Sequence, residues 1–123
     1  MSKPLALIIE DDFDAGAIMS EALSAAGFAV ELIRDGATAQ KRLAGQPPQL
    51  IALDLHLPGV NGQTLLRQIR SDDRLAQTRV MLVTADDHLG RSLQKEANFV
   101  LLKPISFTQL WQLAQRLRPS DVE

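Results

Sequence analysis

The run Leu50-Ile51-Ala52-Leu53 is apolar throughout and stops on a carboxylate, Asp54. Gln46-Pro47-Pro48 precedes it, and Pro58-Gly59 closes the stretch after it. An apolar run of this length between proline breaks reads as a strand buried on both faces. Asp54 then stands at the carboxyl edge of that strand, where open parallel α/β sheets bind ligands. A charge there costs free energy unless something pairs with it. The rest of the chain is read for what meets Asp54.

Four more runs have strand character. Leu5-Ala6-Leu7-Ile8-Ile9 ends in Glu10-Asp11-Asp12, so this strand also delivers carboxylates. Phe28 to Ile33 is the next, with Asp35-Gly36 as the turn after it. Val80-Met81-Leu82-Val83 ends at Thr84, and Phe99-Val100-Leu101-Leu102 ends at Lys103-Pro104. Between these runs the period becomes helical. Ala15, Ile18, Met19, Ala22 and Ala26 share one face of a helix from about Phe13 to Ala26, and Gly27 ends it. A short helix is predicted over Ala37 to Leu43. Asn61 caps another that carries Leu65, Leu66 and Ile69. Asp87 to Ala97 is weaker, because Gly90 costs ~1 kcal/mol relative to Ala. Ser106 caps the last helix, with Phe107, Leu110, Ala114 and Leu117 on its core face and Pro119 after it.

Strand and helix thus alternate five times. That pattern predicts an α/β fold, a single doubly wound five-stranded parallel sheet with helices on both faces. The order 2-1-3-4-5 sets Glu10, Asp11 and Asp54 side by side at the switch point, with Thr84 and Lys103 along the same edge.

Composition removes several alternatives. The chain has 123 residues, which predicts one domain over 1–123 with no output module. A net charge of −2 argues against nucleic acid as the main partner. The absence of cysteine excludes disulfides, thiolate metal sites and Cys nucleophiles. No apolar run approaches the ~18 residues of a membrane span, and no signal peptide pattern opens the chain. A soluble cytoplasmic domain, with no membrane partner, is the expectation.

The site's chemistry follows from its residue types. Three adjacent carboxylates repel and call for a cation. Oxygen ligands without His or Cys favour Mg2+, which takes one or two carboxylates plus phosphate oxygens. Lys103 is a point charge suited to a phosphoryl oxygen, and Thr84 can donate to another. An aspartate can attack phosphorus and form an aspartyl phosphate. Taken alone, Lys103 also reads as a surface lysine before a turn, and Glu10-Asp11-Asp12 as an acidic helix start. Asp12 and Asp14 are expected to serve the helix, and Glu10 and Asp11 the metal.

These pieces together resemble the receiver domain of bacterial two-component response regulators over nearly the whole chain. The matching residues are Glu10-Asp11, Asp54 with Pro58, Asn61-Gly62, Thr84-Ala85 and Lys103-Pro104. The resemblance implies a flavodoxin-like fold and a phosphorelay role. Asp54 would accept a phosphoryl group from a histidine kinase or phosphotransfer protein. Glu10, Asp11, Asp54 and the His56 backbone carbonyl would hold Mg2+ or Mn2+. Thr84, Ala85 and Lys103 would contact the phosphoryl oxygens. The face of the fourth helix, fifth strand and fifth helix would then change and meet a second copy or a downstream protein. Such a domain catalyses its own phosphorylation and dephosphorylation without being a conventional turnover enzyme. The resemblance also raises the expectation of a cis Lys103-Pro104 bond.

Three departures bear on signalling. Asn61 stands where the family often has Asp, and Val100 where it usually has Tyr or Phe as a switch residue. The stretch from Thr84 to Lys103 is shorter than usual, which predicts a short or irregular fourth helix. His56 and Asp86 occupy positions that flank the path of the attacking water, and a His56–Asp86 pair over the phosphoryl group is expected to slow dephosphorylation. On the fifth helix, Trp111 and Leu113 fall at opposite edges of the apolar stripe. Either an apolar binding patch results, or Trp111 fills the space beside Val100.

Other classes fit less well. An aspartate-nucleophile phosphatase carries a second Asp two residues after the first, and that position is His56. A nucleotide site needs a Gly-rich loop after the first strand, where Glu10-Asp11-Asp12-Phe13 stands. A degenerate receiver, acting as a phosphorylation-independent interaction module, is the remaining alternative. Phosphoryl incorporation at Asp54 separates it from the active form.

Overall fold

The computed structural model describes residues 3–118, so Pro119 lies outside the described residues. In chain order the elements are β1 (Leu5–Ile9), α1 (Phe13–Ala25), β2 (Ala29–Ile33), α2 (Gly36–Arg42) and β3 (Leu50–Asp54). Then come α3 (Gly62–Ser71), β4 (Arg79–Thr84), α4 (Asp87–Ser92), β5 (Phe99–Leu102) and α5 (Phe107–Leu117). All strand pairs are parallel, in the order β2-β1-β3-β4-β5. β3 lies in the middle and is buried at all five residues, as its unbroken apolar run predicts. Among the described residues, no helix is long and apolar enough to cross a membrane.

Alternation along the strands divides the interior into two cores. Ala6, Ile8, Ala52, Met81, Val83 and Leu101 face α1 and α5. Leu7, Ile9, Ile51, Leu53, Val80 and Leu82 belong to the other core, with α2, α3 and α4. The helix caps follow the sequence: Asn61 accepts from Thr64 N at 2.9 Å and Ser106 Oγ from Gln109 N at 3.3 Å.

Several expected faces turn out differently. On α1 the buried line is Gly16, Met19, Ala22 and Leu23, and Ile18 is exposed. The helix rests on Leu32 of β2 through Gly16, which turns the stripe about one residue away from Ile18. On α5, Leu110, Ala114 and Leu117 are buried, but Phe107 is 41% exposed in the first turn. Trp111 and Leu113 are both half-buried, and both pack on the α1/α5 core. Val100 belongs to the opposite core, so Trp111 does not fill the space beside it. Neighbouring strand residues point to opposite faces, and Leu101, not Val100, is the residue on the α5 side.

The segment after β4 is short, as predicted. α4 has six residues, and a single 3-10 turn over Gln94–Glu96 leads into β5. Arg70 holds this segment in place. Its guanidinium donates to Glu96 O at 2.8 Å, Thr78 O at 3.2 Å and Asn98 Oδ1 at 3.0 Å. Asn98 Oδ1 also accepts from Val80 N at 2.7 Å.

Two glycines let the backbone close around the end of β3. Gly36 N donates to Pro58 O at 3.1 Å, and a Cβ there would overlap the Val60 carbonyl oxygen. A Cβ on Gly62 would lie 2.6 Å from Asp54 O and 2.5 Å from Leu55 Cα. Gly36→Ala is expected to destabilise the fold by about 3 kcal/mol, the upper end of overpacking costs. Gly45→Ala meets only Arg42 and should stay within about 1 kcal/mol of wild type. Equal urea midpoints for the two variants would show that the loop yields without cost.

Candidate active site at the carboxyl edge of the sheet

The strand order brings the predicted residues together. Glu10 follows β1, and its N–H continues the ladder to Ile33 O at 2.9 Å. Asp54 ends β3 beside it, and Thr84 ends β4. Lys103 follows β5, its N–H donating to Thr84 O at 2.9 Å and its peptide to Pro104 being cis. Glu10 and Thr84 are wholly buried, and Asp54 is 2% exposed. Asp11 is exposed at the rim, yet Glu10, Asp11 and Asp54 can each bring one carboxylate oxygen within 4.8 Å of the others.

Lys103 is the group that meets Asp54. Its Nζ stands 2.9 Å from Glu10 Oε1, 3.1 Å from Glu10 Oε2 and 3.5 Å from Asp54 Oδ2. The His56 backbone N–H donates to Asp54 Oδ1 at 3.0 Å. Asp12 N donates to Glu10 Oε2 at 3.1 Å. Glu10 Oε1 accepts no hydrogen bond, because its approach to Nζ lacks the alignment for one. Glu10 Oε1 is thus ion-paired with Lys103 without a hydrogen bond, and with Asp11 and Asp54 it belongs to a set of carboxylate oxygens that fits a hard divalent cation of the Mg2+ kind.

The electrostatics follow from burial. Burial raises the Glu10 pKa to about 7, and the adjoining Asp54 carboxyl adds to this, while Lys103 and the Asp12 N–H pull the other way. Burial alone would lower Lys103, but Glu10 and Asp54 outweigh it and raise it.

Residues around the rim divide between helix and site. Asp12 caps α1, accepting from Ala15 N at 2.8 Å, and Asp14 lies in the first turn, as predicted. Asp86 caps α4, with Oδ1 accepting from Leu89 N at 3.0 Å. The carboxylate is thus engaged with its own helix, and His56 is an exposed side chain with no bond to it. An Asp three residues before Leu89 is a cap signal that the sequence reading passed over. Asp86 N donates to Thr84 Oγ1 at 3.0 Å. Ala85 is exposed and borders, with Lys103, Pro104, Ile105, Asp12 and Ile18, a groove of about 540 Å³ beside the acidic cluster.

A family model, the response regulator receiver domain, matches residues 6–115. The chain belongs to the response regulator receiver domain family. It is 32% identical over 123 residues to the probable methanogenesis regulatory protein FilR2 of Methanothrix harundinacea, covering 91% of this chain and 79% of that protein. It is 34% identical over 107 residues to the transcriptional activator protein IrlR of Burkholderia pseudomallei, covering 85% of this chain and 45% of IrlR. This receiver therefore spans about half the length of such regulators. A solved structure, the receiver domain of sensor histidine kinase PA1611 from Pseudomonas aeruginosa PAO1, superposes with a TM-score of 0.83 at 26% identity, covering 94% of this chain and 98% of that one. That receiver holds a magnesium ion coordinated in its active site cleft.

The raised Glu10 pKa gives a signed prediction for the metal-free receiver. As pH rises, the unfolded chain releases the Glu10 proton near 4.5 and the folded chain near 7. The folded state binds more protons in that window, so stability is full below it and is lost as pH rises through it, by up to ~3 kcal/mol. Melting in EDTA from pH 5 to 8 should show this fall, and Glu10→Gln should flatten it. An unchanged slope in the variant would assign the effect elsewhere.

Proposed function

We propose that Asp54 is the phosphoacceptor of a phosphorelay. The observation that carries this reading is the buried Asp54 carboxylate, set between Lys103 and the His56 N–H and clustered with Glu10 and Asp11. Glu10, Asp11, Asp54 and the His56 carbonyl would hold Mg2+ or Mn2+. When bound, the ion offsets the charge that builds up when a carboxylate meets a phosphoryl group.

The chain's own groups then do the following. One Asp54 oxygen attacks phosphorus as the P–N bond of a donor phosphohistidine breaks. The imidazole leaves with the electron pair and takes a proton from solvent. Lys103 turns its ammonium from Asp54 to a phosphoryl oxygen, so one charge partner replaces another within the same buried pocket. The Thr84 hydroxyl and the Ala85 N–H donate to the remaining oxygens. Histidine kinases and phosphotransfer proteins are the partners of receiver domains, and one of them is the donor here. The groove lined by Asp12, Ile18, Ala85, Lys103, Pro104 and Ile105 reaches the site at Lys103 and gives the donor its approach. The setting is cytoplasmic. The α4/β5/α5 face, where Leu102 is 46% exposed, meets a second copy or a downstream protein.

Acetyl phosphate with Mg2+ should add one phosphoryl group by intact mass, and the mass should return to baseline as the acyl phosphate hydrolyses. Asp54→Asn or EDTA should abolish the gain. Full incorporation in Asp54→Asn would refute the assignment.

The lifetime of the phosphoryl group depends on His56 and Asp86 in the same reading. Asp86 already caps α4 through Oδ1, so His56 carries most of the shielding against water. His56→Ala should dephosphorylate several times faster than wild type. Matching rates in the two proteins would remove His56 from this role.

A further inference from the structure

We propose that Gly36 is a positioning residue for the metal site: the first residue of α2 holds the β3–α3 loop and so fixes the direction of the His56 carbonyl. The proposal rests on the phosphoacceptor reading, in which that carbonyl is a metal ligand, and names what aims it. The loop runs from Leu55 to Asn61, between the end of β3 and the cap of α3. On one side it is tied to the site, because the His56 N–H donates to Asp54 Oδ1 at 3.0 Å. On the other it is tied to α2, because the Gly36 N–H donates to Pro58 O at 3.1 Å. Gly59, with φ at +79°, then turns the chain, and a Cβ on Gly36 would overlap the Val60 carbonyl oxygen. The loop thus closes on Gly36 with two of its carbonyls, and only a residue without a side chain fits there.

The two hydrogen bonds leave the His56 carbonyl little freedom. Peptide units are planar, so a carbonyl is re-aimed only through the torsions on either side of it. Pro58 has its φ fixed by the ring, and it confines Leu57 to extended backbone. Leu57 is also half-buried and packs on the core shared with α2 and α3. Turning the carbonyl away therefore requires the His56 N–H bond or the Gly36 N–H bond to break. The first belongs to Asp54 itself. The second comes from outside the site, and it is the one that a change elsewhere can remove.

α2 is held mainly by polar bonds at its two ends. Of its seven residues only Gly36 and Ala39 are buried. Asp35 fixes the first turn, accepting from Thr38 N at 2.7 Å and from Thr38 Oγ1 at 2.9 Å. Beyond the last turn, Arg74 Nη2 donates to Leu43 O at 2.7 Å and Nη1 to Gly45 O at 2.8 Å. The Asp35 cap thus sets where the Gly36 N–H stands, and the Gly36 N–H sets where Pro58 stands. A helix of this length has little cooperativity of its own to replace the cap.

Mn2+ alone is the probe, with the free ion counted by electron paramagnetic resonance on proteins whose folding is checked by circular dichroism. Gly36→Ala should bind Mn2+ at least about tenfold more weakly than wild type, the usual effect of losing a group that orients a metal ligand. Asp35→Ala, which frees the first turn of α2, should weaken binding in the same direction by less. Leu110→Ala removes packing in the α1/α5 core, and should lower stability while keeping wild-type affinity. With acetyl phosphate, saturating Mg2+ should bring Gly36→Ala back to the full mass gain, because the acceptor is intact. Wild-type affinity in Gly36→Ala, or an equal loss in Leu110→Ala, would overturn the assignment and leave the phosphoacceptor reading standing. A Gly36→Ala protein that stays unphosphorylated at saturating Mg2+ would overturn it too. If Gly36→Ala does not fold, Asp35→Ala decides, and unchanged Mn2+ binding in it overturns the proposal. A wild type that binds no Mn2+ removes the metal from the phosphoacceptor reading, and this inference with it.

Discussion

The ammonium of Lys103 between Glu10 and Asp54 is the interaction on which the carboxyl edge of the sheet depends. Two carboxylates that are almost fully buried would repel each other, and burial pushes Glu10 toward its neutral form. One cation 2.9 Å from the first and 3.5 Å from the second makes the arrangement possible. The cost is not fully offset, as the raised Glu10 pKa shows. What remains is an electrostatic imbalance that a divalent cation held by Glu10, Asp11 and Asp54 would relieve. The strands that supply these groups, β1, β3 and β5, are joined by parallel ladders, β5 through β4, so their ends cannot drift apart without breaking the sheet.

Much of this was legible in the sequence because it depends on local rules. Apolar runs ended by carboxylates, Thr84 or Lys103 mark both the strands and the site, and parallel connection rules order them. Asn61 and Ser106 announced their helices through capping chemistry. Where the reading failed, tertiary packing decided. Ile18 and Gly16 lie two positions apart on α1, and only contact with Leu32 determines which of them turns inward. Phe107 has the right spacing for the core, but it starts its helix where the sheet has ended. Trp111 and Val100 are on opposite sides of β5, a consequence of strand alternation that the helical stripe alone did not reveal.

Residues with two plausible uses were the hardest to assign. Asp86 has the position of a site residue and the chemistry of a helix cap, and the cap claims one of its oxygens. Arg70 shares α3 with Arg67, and nothing in the sequence singles it out. Its three acceptors, Glu96 O, Thr78 O and Asn98 Oδ1, lie 8 to 28 residues away in sequence and come together only in the folded chain. No short-range signal could have identified it. Gly36 and Gly62 are similar: turn composition marks them, but the reason neither can carry a side chain is a backbone brought close by folding, Val60 for Gly36 and the end of β3 for Gly62.

The Arg70 cluster has a mechanical consequence. It ties the starts of β4 and β5 to the end of α3, at the edge of the sheet opposite the carboxylates. Those strands are therefore pinned at one end and loaded at the other. From Val80 to Thr84 the arm is ~13 Å long at 3.3 Å per residue. With that pivot fixed, a shift of ~1 Å at the far end would be a tilt of ~4°.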